Sequence, residues 1–180
     1  MRALLAALIL TLPAAGGLAE IFNLREQGRL EIFPVGDWTI RSEDQGDIKI
    51  QILPKKPKAN AACELTVAAG GPDNFPTRAK LARQVAENAR RLMETGEYGD
   101  TAPAVKAFYS KQGFGSYFTV IDPRLVGQDP VPGNYKQMTV GLLRLSSGVL
   151  VEVHILSDGD RTEEYQQLLG AVEGMELSAK

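Results

Sequence analysis

The amino-acid sequence predicts an α+β fold, in which a central antiparallel β-sheet has helices packed on both of its faces as an α/β/α sandwich. Three features predict this class: an apolar hairpin over residues 137–157, amphipathic helical patterns over residues 75–95 and 162–173, and several short alternating segments. Both faces of the hairpin carry apolar side chains, so neither suits full exposure to water. We therefore expect helices to cover both faces of the sheet.

The hairpin is the clearest strand signal in the chain, because it is rich in β-branched residues. The run Ser146-Ser147-Gly148 interrupts it as a three-residue loop in which the glycine takes the left-handed conformation. Pairing Leu145 with Val149 matches that turn, whereas pairing Ser146 with Val149 separates polar from apolar side chains better. Both registers remain open at this stage.

The other elements follow from periodicity and from turn residues. Gly96 ends the first helix, and Asp160 with Glu163 predicts a capping box at the start of the second. The polar segment 20–29 is expected to fray or to form a short helix, Gly113-Phe114-Gly115 is expected to be a turn, and residues 175–177 to pack on the sheet. Strands are predicted at residues 30–34, 38–42, 48–53, 61–67, 104–110 and 116–122.

The first nineteen residues have the pattern of a secretory signal peptide. Arg2 precedes an apolar run, which Pro13 and small residues follow up to Ala19, where cleavage is predicted. The run is shorter than the ~20 residues that span a bilayer, so we expect no transmembrane anchor in the mature form. The protein is then periplasmic or secreted, and residues 20–180 form a single domain.

Composition excludes several classes of function. The net charge of −2, which becomes −3 once Arg2 is removed, argues against a nucleic-acid partner. The single cysteine, Cys63, rules out an intramolecular disulfide and is expected to be a buried, inert thiol in a strand. One cysteine and one histidine also make a zinc site improbable, and no cofactor is predicted.

Two loops are candidate binding surfaces. Residues 122–135 form a long, proline-stiffened loop of the kind that often carries recognition, and its polar groups are Asp122, Arg124, Gln128, Asp129 and Tyr135. The second loop, residues 54–60, carries three lysines and two prolines. It is interpreted either as a contact for an anionic surface or as a solvated turn that discourages edge pairing; its lysines are Lys55, Lys56 and Lys58.

Catalysis is constrained by the only histidine, His154, which lies in the second hairpin strand two residues after Glu152. A serine or cysteine hydrolase would need this histidine as its base, yet no nucleophile elbow accompanies it. We therefore expect His154 to be a structural or surface histidine and the protein not to be an enzyme. Whether its mixed strand face is covered or forms the floor of a pocket is open.

The order of elements resembles the PsbP-like and DcrB-like proteins. The resemblance covers most of the mature chain, through Ile32-Phe33-Pro34 with Gly36-Asp37-Trp38, the helix near residues 78–92, the hairpin, and Tyr165 with Leu168-Leu169 before Met175-Glu176-Leu177. It implies an antiparallel sheet with helices on both sides. Family members include extrinsic photosystem II subunits and bacterial envelope proteins, mostly non-catalytic. No functional residues carry over.

The expected function is that of an exported, non-catalytic binding or assembly-accessory protein of the cell envelope with an unidentified envelope protein as its partner. The alternative is a small periplasmic hydrolase or small-molecule-binding enzyme centred on His154 and Glu152. A third hypothesis is a protein held to an anionic surface by its basic loop.

Overall fold

The structure, a computed structural model, describes residues 19–24, 27–34, 36–44, 47–56, 59–68, 75–99 and 102–179. Two α-helices lie in this part of the chain, α1 (Arg78–Met93) and α2 (Glu163–Glu173). Its strands are β1 (Glu20–Asn23), β2 (Arg29–Ile32), β3 (Trp38–Asp44), β4 (Ile48–Pro54), β5 (Ala61–Ala68), β6 (Lys106–Phe108), β7 (Gly113–Ile121), β8 (Gln137–Leu145), β9 (Leu150–Ser157) and β10 (Glu176–Ser178).

The predicted α/β/α sandwich is wrong, because the chain is mostly β and forms two sheets. Strand accounts for 44% of the structure and helix for 23%. The large sheet has the order β3-β4-β5-β9-β8-β7-β6, and a small sheet has the order β1-β2-β10. The small sheet arises where the sequence predicted a frayed segment or terminal packing, since residues 20–23 and 176–178 pair with the two edges of β2.

The two sheets share one hydrophobic core. Leu30 and Ile32 of β2 are fully buried in the same cluster as Val151 and Val153 of β9. Helix α2 adds to this cluster through Tyr165, Leu168, Ala171 and Val172. The fold is therefore a β-sandwich with α2 beside the small sheet, rather than one sheet between helical layers.

Helix α1 packs over only one part of the large sheet. Its buried residues, Leu81, Val85 and Ala89, form a separate cluster with Phe118 and Val120 of β7. The same sheet face continues onto β4 and β5, where its side chains are polar and solvent-accessible: Lys49, Gln51, Glu64 and Thr66. No helix covers this region in the described part of the chain.

The hairpin prediction is confirmed, and its register is resolved. Arg144 pairs with Leu150, and the Leu145 amide donates to the Val149 carbonyl over 2.9 Å. Gly148 has a φ of 80°, the left-handed conformation expected of it. The chain thus adopts the turn-matched register, with Leu145 and Val149 both buried in the shared core.

The predicted turn at Gly113-Phe114-Gly115 is wrong, because these residues lie inside β7. A Cβ atom at Gly115 would lie 2.6 Å from the Leu142 carbonyl oxygen and 2.7 Å from the Phe108 ring. The glycine is therefore required for close approach of neighbouring groups and does not mark a change of chain direction.

The capping box predicted for α2 is also wrong. Thr162 is the N-cap, and its Oγ1 accepts a hydrogen bond from the Tyr165 amide over 3.3 Å. Asp160 lies two residues before the cap, where its carbonyl oxygen accepts from the Gln166 side chain. Glu163 is the first helical residue, so its carboxylate interacts favourably with the positive end of the helix dipole. It does not form a capping box with Asp160.

Some predictions fall outside the described residues. The predicted signal peptide lies there up to residue 18, and so does Lys58 of the basic loop. Across the ranges that the structure describes, none of the helices has the length and apolar character needed to cross a membrane.

Candidate functional site

The two loops singled out in the sequence lie at the same end of the large sheet. The β7–β8 loop, residues 122–136, leads into β8, while the β4–β5 loop, residues 55–60, leads into β5. Ser157 at the end of β9 pairs with Ala61 on one side and with Gln137 on the other. The two loops therefore enter the sheet at the same level, on either side of the end of β9.

Asn60 connects the two loops directly. Its Nδ2 donates to the Asn134 carbonyl over 3.0 Å and to Asp158 Oδ1 over 2.9 Å. Its Oδ1 accepts from the Gly133 amide over 3.0 Å. One amide side chain thus fixes the C-terminal part of the β7–β8 loop against the β4–β5 loop and against the segment that follows β9.

The base of the β7–β8 loop is closed by hydrogen bonds around Asp122. The Asp122 amide donates to the Lys136 carbonyl over 2.8 Å. The Asp122 carboxylate accepts from the Arg124 amide over 2.9 Å and from its guanidinium over 2.9 and 2.7 Å. These side-chain hydrogen bonds from Arg124 hold the pKa of Asp122 below its ordinary value. The loop is a compact Ω-type loop with adjacent ends.

The five predicted contact residues are not equivalent. The Asp122 side chain is only 15% exposed, and the Gln128 side chain donates to the Arg124 carbonyl over 2.6 Å, so both maintain the loop. The Arg124 guanidinium is paired but 72% exposed, and Asp129 is exposed. Tyr135 is partly buried, which raises the pKa of its hydroxyl. Arg124 and Asp129 are thus the members best placed to meet a partner.

Sequence reasoning missed the apolar part of this loop. Of six large apolar residues that are exposed in the described chain, three belong to it or adjoin it: Ile121 at 52%, Val126 at 64% and Val131 at 53%. A usable signal was present, since Val131 lies between Pro130 and Pro132, which disfavour both a helix and a central strand at this position. Together with residues 122–136, Ile121 forms what we call the loop surface.

The basic loop has a mixed electrostatic environment. Lys55 and Lys56 are exposed, and Lys56 Nζ lies 3.8 Å from Asp37 Oδ2. A shallow depression of about 220 Å³ beside Lys56 is also lined by the acidic residues Asp37, Glu163 and Glu164. The lysines that the structure describes therefore do not form a uniformly positive surface.

The mixed face of β9 is covered in part: Leu150 packs against the cluster under α1, whereas Glu152 and His154 line an open depression of about 170 Å³. His154 Nε2 lies 3.2 Å from Glu152 Oε1, and this hydrogen bond lowers the pKa of Glu152. Glu64 is the cross-strand neighbour of His154 and accepts a hydrogen bond from the Gln51 side chain over 3.2 Å. The depression is thus polar and shallow.

The remaining candidate groups do not form a further site. Cys63 is fully buried in β5 as expected, and burial raises the pKa of its thiol far above the ordinary value. Among the residues that the structure describes, no group of three or more histidine, cysteine, aspartate or glutamate side chains is arranged to hold a metal ion.

Comparison with known proteins does not assign the chain to a family. No family model matches it, and no curated protein matches it at a significant level. The site is therefore interpreted from its own geometry.

Proposed function

We propose that this protein is an exported, non-catalytic binding or assembly-accessory protein of the cell envelope that contacts a protein partner through its loop surface. The observation that carries the proposal is the exposure of Val126 and Val131 on a loop held in place by hydrogen bonds, and of Ile121 at the adjoining end of β7. The N-terminal signal-peptide pattern supports the envelope location.

Exposed apolar side chains are unfavourable in water unless a partner covers them. Single exposed residues are common on protein surfaces, but a group on one ordered loop is more typical of an interaction site. The valines supply area that a partner would remove from water, at about 25 cal/mol per Å². Arg124 and Asp129 supply the charged rim that orients a partner.

The order of the loop favours binding as well. A flexible loop loses conformational entropy when it meets a partner, and this loss weakens affinity. Here Asn60 fixes the C-terminal part of the loop through Gly133 and Asn134, while Asp122 and Lys136 close the base. Much of that entropy is therefore already lost on folding.

Site-specific photo-crosslinking in the envelope tests the proposal. A photoreactive residue at Val131 is expected to give one dominant adduct, whereas the same residue at Val105, an exposed apolar position outside the loop, is expected to give none. Val126→Asp should reduce the Val131 adduct at least fivefold, and Arg124→Ala with Asp129→Ala should weaken it. Equal adducts from both positions, or an adduct indifferent to Val126→Asp, would contradict the proposal.

A second candidate function, a small hydrolase or small-molecule-binding enzyme, is favoured by one observation. His154 and Glu152 are hydrogen-bonded at 3.2 Å within an accessible depression, which is the arrangement of a base with an orienting carboxylate. A hydrolase substrate panel with the protein and with His154→Ala tests it. Turnover that His154→Ala abolishes would support the enzyme, and an unchanged activity profile would remove it.

A further inference from the structure

The outer edge of the large sheet at β3 has no neighbouring strand in the described chain. Strand β3 pairs with β4 on one side, from Trp38 opposite Pro54 to Asp44 opposite Ile48. No hydrogen bond from another described residue reaches the opposite side of residues 39–43. An edge strand of this kind presents unpaired amide and carbonyl groups, which a further strand can pair with.

Strand β3 is not protected by short length or by proline, although it carries the charged residues Arg41, Glu43 and Asp44. It is seven residues long and contains neither proline nor lysine. The other terminal strand of the large sheet, β6, has only three residues. Of the two edges, β3 is therefore the one long enough to hold a partner strand.

The charged side chains of β3 suit antiparallel pairing between two copies of this strand. Arg41 and Glu43 are two residues apart, so both side chains lie on the same face of the sheet. Both are exposed, and neither forms an ion pair with another residue in the described ranges. Their cross-strand neighbours in β4 are Gln51 and Lys49.

We propose that two copies of this chain associate through β3, antiparallel, with the two-fold axis at Ser42. A two-fold axis perpendicular to a continuous sheet keeps each side chain on its own face, so the axis must pass through a residue position. With Ser42 on the axis, Arg41 of each copy lies opposite Glu43 of the other. The interface then contains two identical ion pairs, and the two large sheets become one.

The neighbouring registers are less favourable for reasons of charge. Placing the axis at Arg41 puts the two guanidinium groups opposite each other, and placing it at Glu43 does the same for two carboxylates. Placing it at Ile40 leaves Arg41 opposite Thr39 and brings Glu43 beside Asp37 of the other copy. Only the Ser42 axis places Arg41 and Glu43 of each strand opposite charges of the other sign, while Asp44 at the end of β3 then lies opposite Ile40.

Charge exchange tests the interface by sedimentation velocity over a range of protein concentrations at low ionic strength. Arg41→Glu turns both ion pairs into pairs of like charge, so the dimer Kd should rise about tenfold or more. Glu43→Arg should raise the Kd by a similar factor for the same reason. The double variant Arg41→Glu with Glu43→Arg should return the Kd to within about threefold of the original. Arg83→Glu on α1, the same change of charge elsewhere, should leave the Kd unchanged.

A cysteine at the two-fold axis tests the register. Cα atoms opposite each other in an antiparallel pair are about 4.5–5.5 Å apart, within the range of a disulfide, so Ser42→Cys should form a covalent dimer on mild oxidation. Thr39→Cys is the control, because its two copies would lie six residue positions apart, about 20 Å. The buried Cys63 does not compete. A protein that is monomeric at every concentration, a double variant that fails to recover, or equal crosslinking at Thr39 would overturn the proposal.

Discussion

Single polar side chains fix the irregular segments of this protein. Asn60 satisfies backbone groups at Gly133 and Asn134, and Thr162 both caps α2 and donates to the Gly159 carbonyl over 3.0 Å. Each replaces a hydrogen bond that regular secondary structure would otherwise supply. The shape of the loop surface and the start of α2 therefore depend on a few atoms.

At this scale, Thr162→Ala should destabilise the protein by about 1 kcal/mol, because it removes the oxygen that accepts from the Tyr165 amide. Asp160→Ala is the matched control, since Asp160 accepts the hydrogen bond from Gln166 through its main-chain carbonyl. Urea unfolding followed by circular dichroism measures both. A larger loss of stability in Asp160→Ala than in Thr162→Ala would show that the capping assignment is incorrect.

At the scale of elements, the short strand β6 pairs with β7 and contributes one buried aromatic side chain to the core. Phe108 is buried, and its ring centroid lies 4.7 Å from that of Tyr117. The ring occupies the space above Gly115 and Gly141, in β7 and β8, where other residues would carry a Cβ. Glycine in these strands thus serves packing.

Gly141→Ala should therefore destabilise the fold by about 1–3 kcal/mol, because its Cβ would lie 2.6 Å from Phe108 and 2.7 Å from Tyr117 Cβ. Gly170→Ala is the control of opposite sign. Nothing lies within 4 Å of a Cβ at Gly170, which is an exposed position of α2, so this change should stabilise by about 0.5–1 kcal/mol. Thermal and urea unfolding measure the stability of both variants. An equal change in stability for Gly141→Ala and Gly170→Ala would contradict the packing role of Gly141.

At the scale of the whole molecule, Cys63 reports on global opening. It lies in β5, inside the large sheet between β4 and β9, and is completely buried in the core that the two sheets share. Reaching its sulfur requires separation of these layers rather than local fraying. Burial also disfavours the thiolate, the reactive form.

Alkylation of Cys63 by iodoacetamide at pH 8 should therefore be negligible in the folded protein and fast in urea. Under native conditions its rate should follow the free energy of unfolding, so Gly141→Ala should accelerate it and Gly170→Ala should slow it. Mass spectrometry of the alkylated fraction measures the rate. Rapid labelling of the folded protein would show that β5 becomes accessible by local opening.

The amino-acid sequence determined the elements whose signal is local. The hairpin, β3, β4 and the buried stripes of α1 and α2 follow from residue patterns within one element. The loop at residues 122–135 was also predictable from its prolines and length. These features depend on neighbours a few positions away, which periodicity and turn chemistry report well.

Only the tertiary structure decided the second sheet and the roles inside the loop. Strands β1 and β10 have four and three residues, too few for a periodic signal, and the Ser178–Glu31 hydrogen bond joins residues 147 positions apart. Likewise, Asp122 and Gln128 read as free polar groups in sequence but hydrogen-bond within the loop once it folds. The physical reason is common to both: pairing between distant or folded-back segments is set by packing and hydrogen-bond satisfaction, which local composition does not encode.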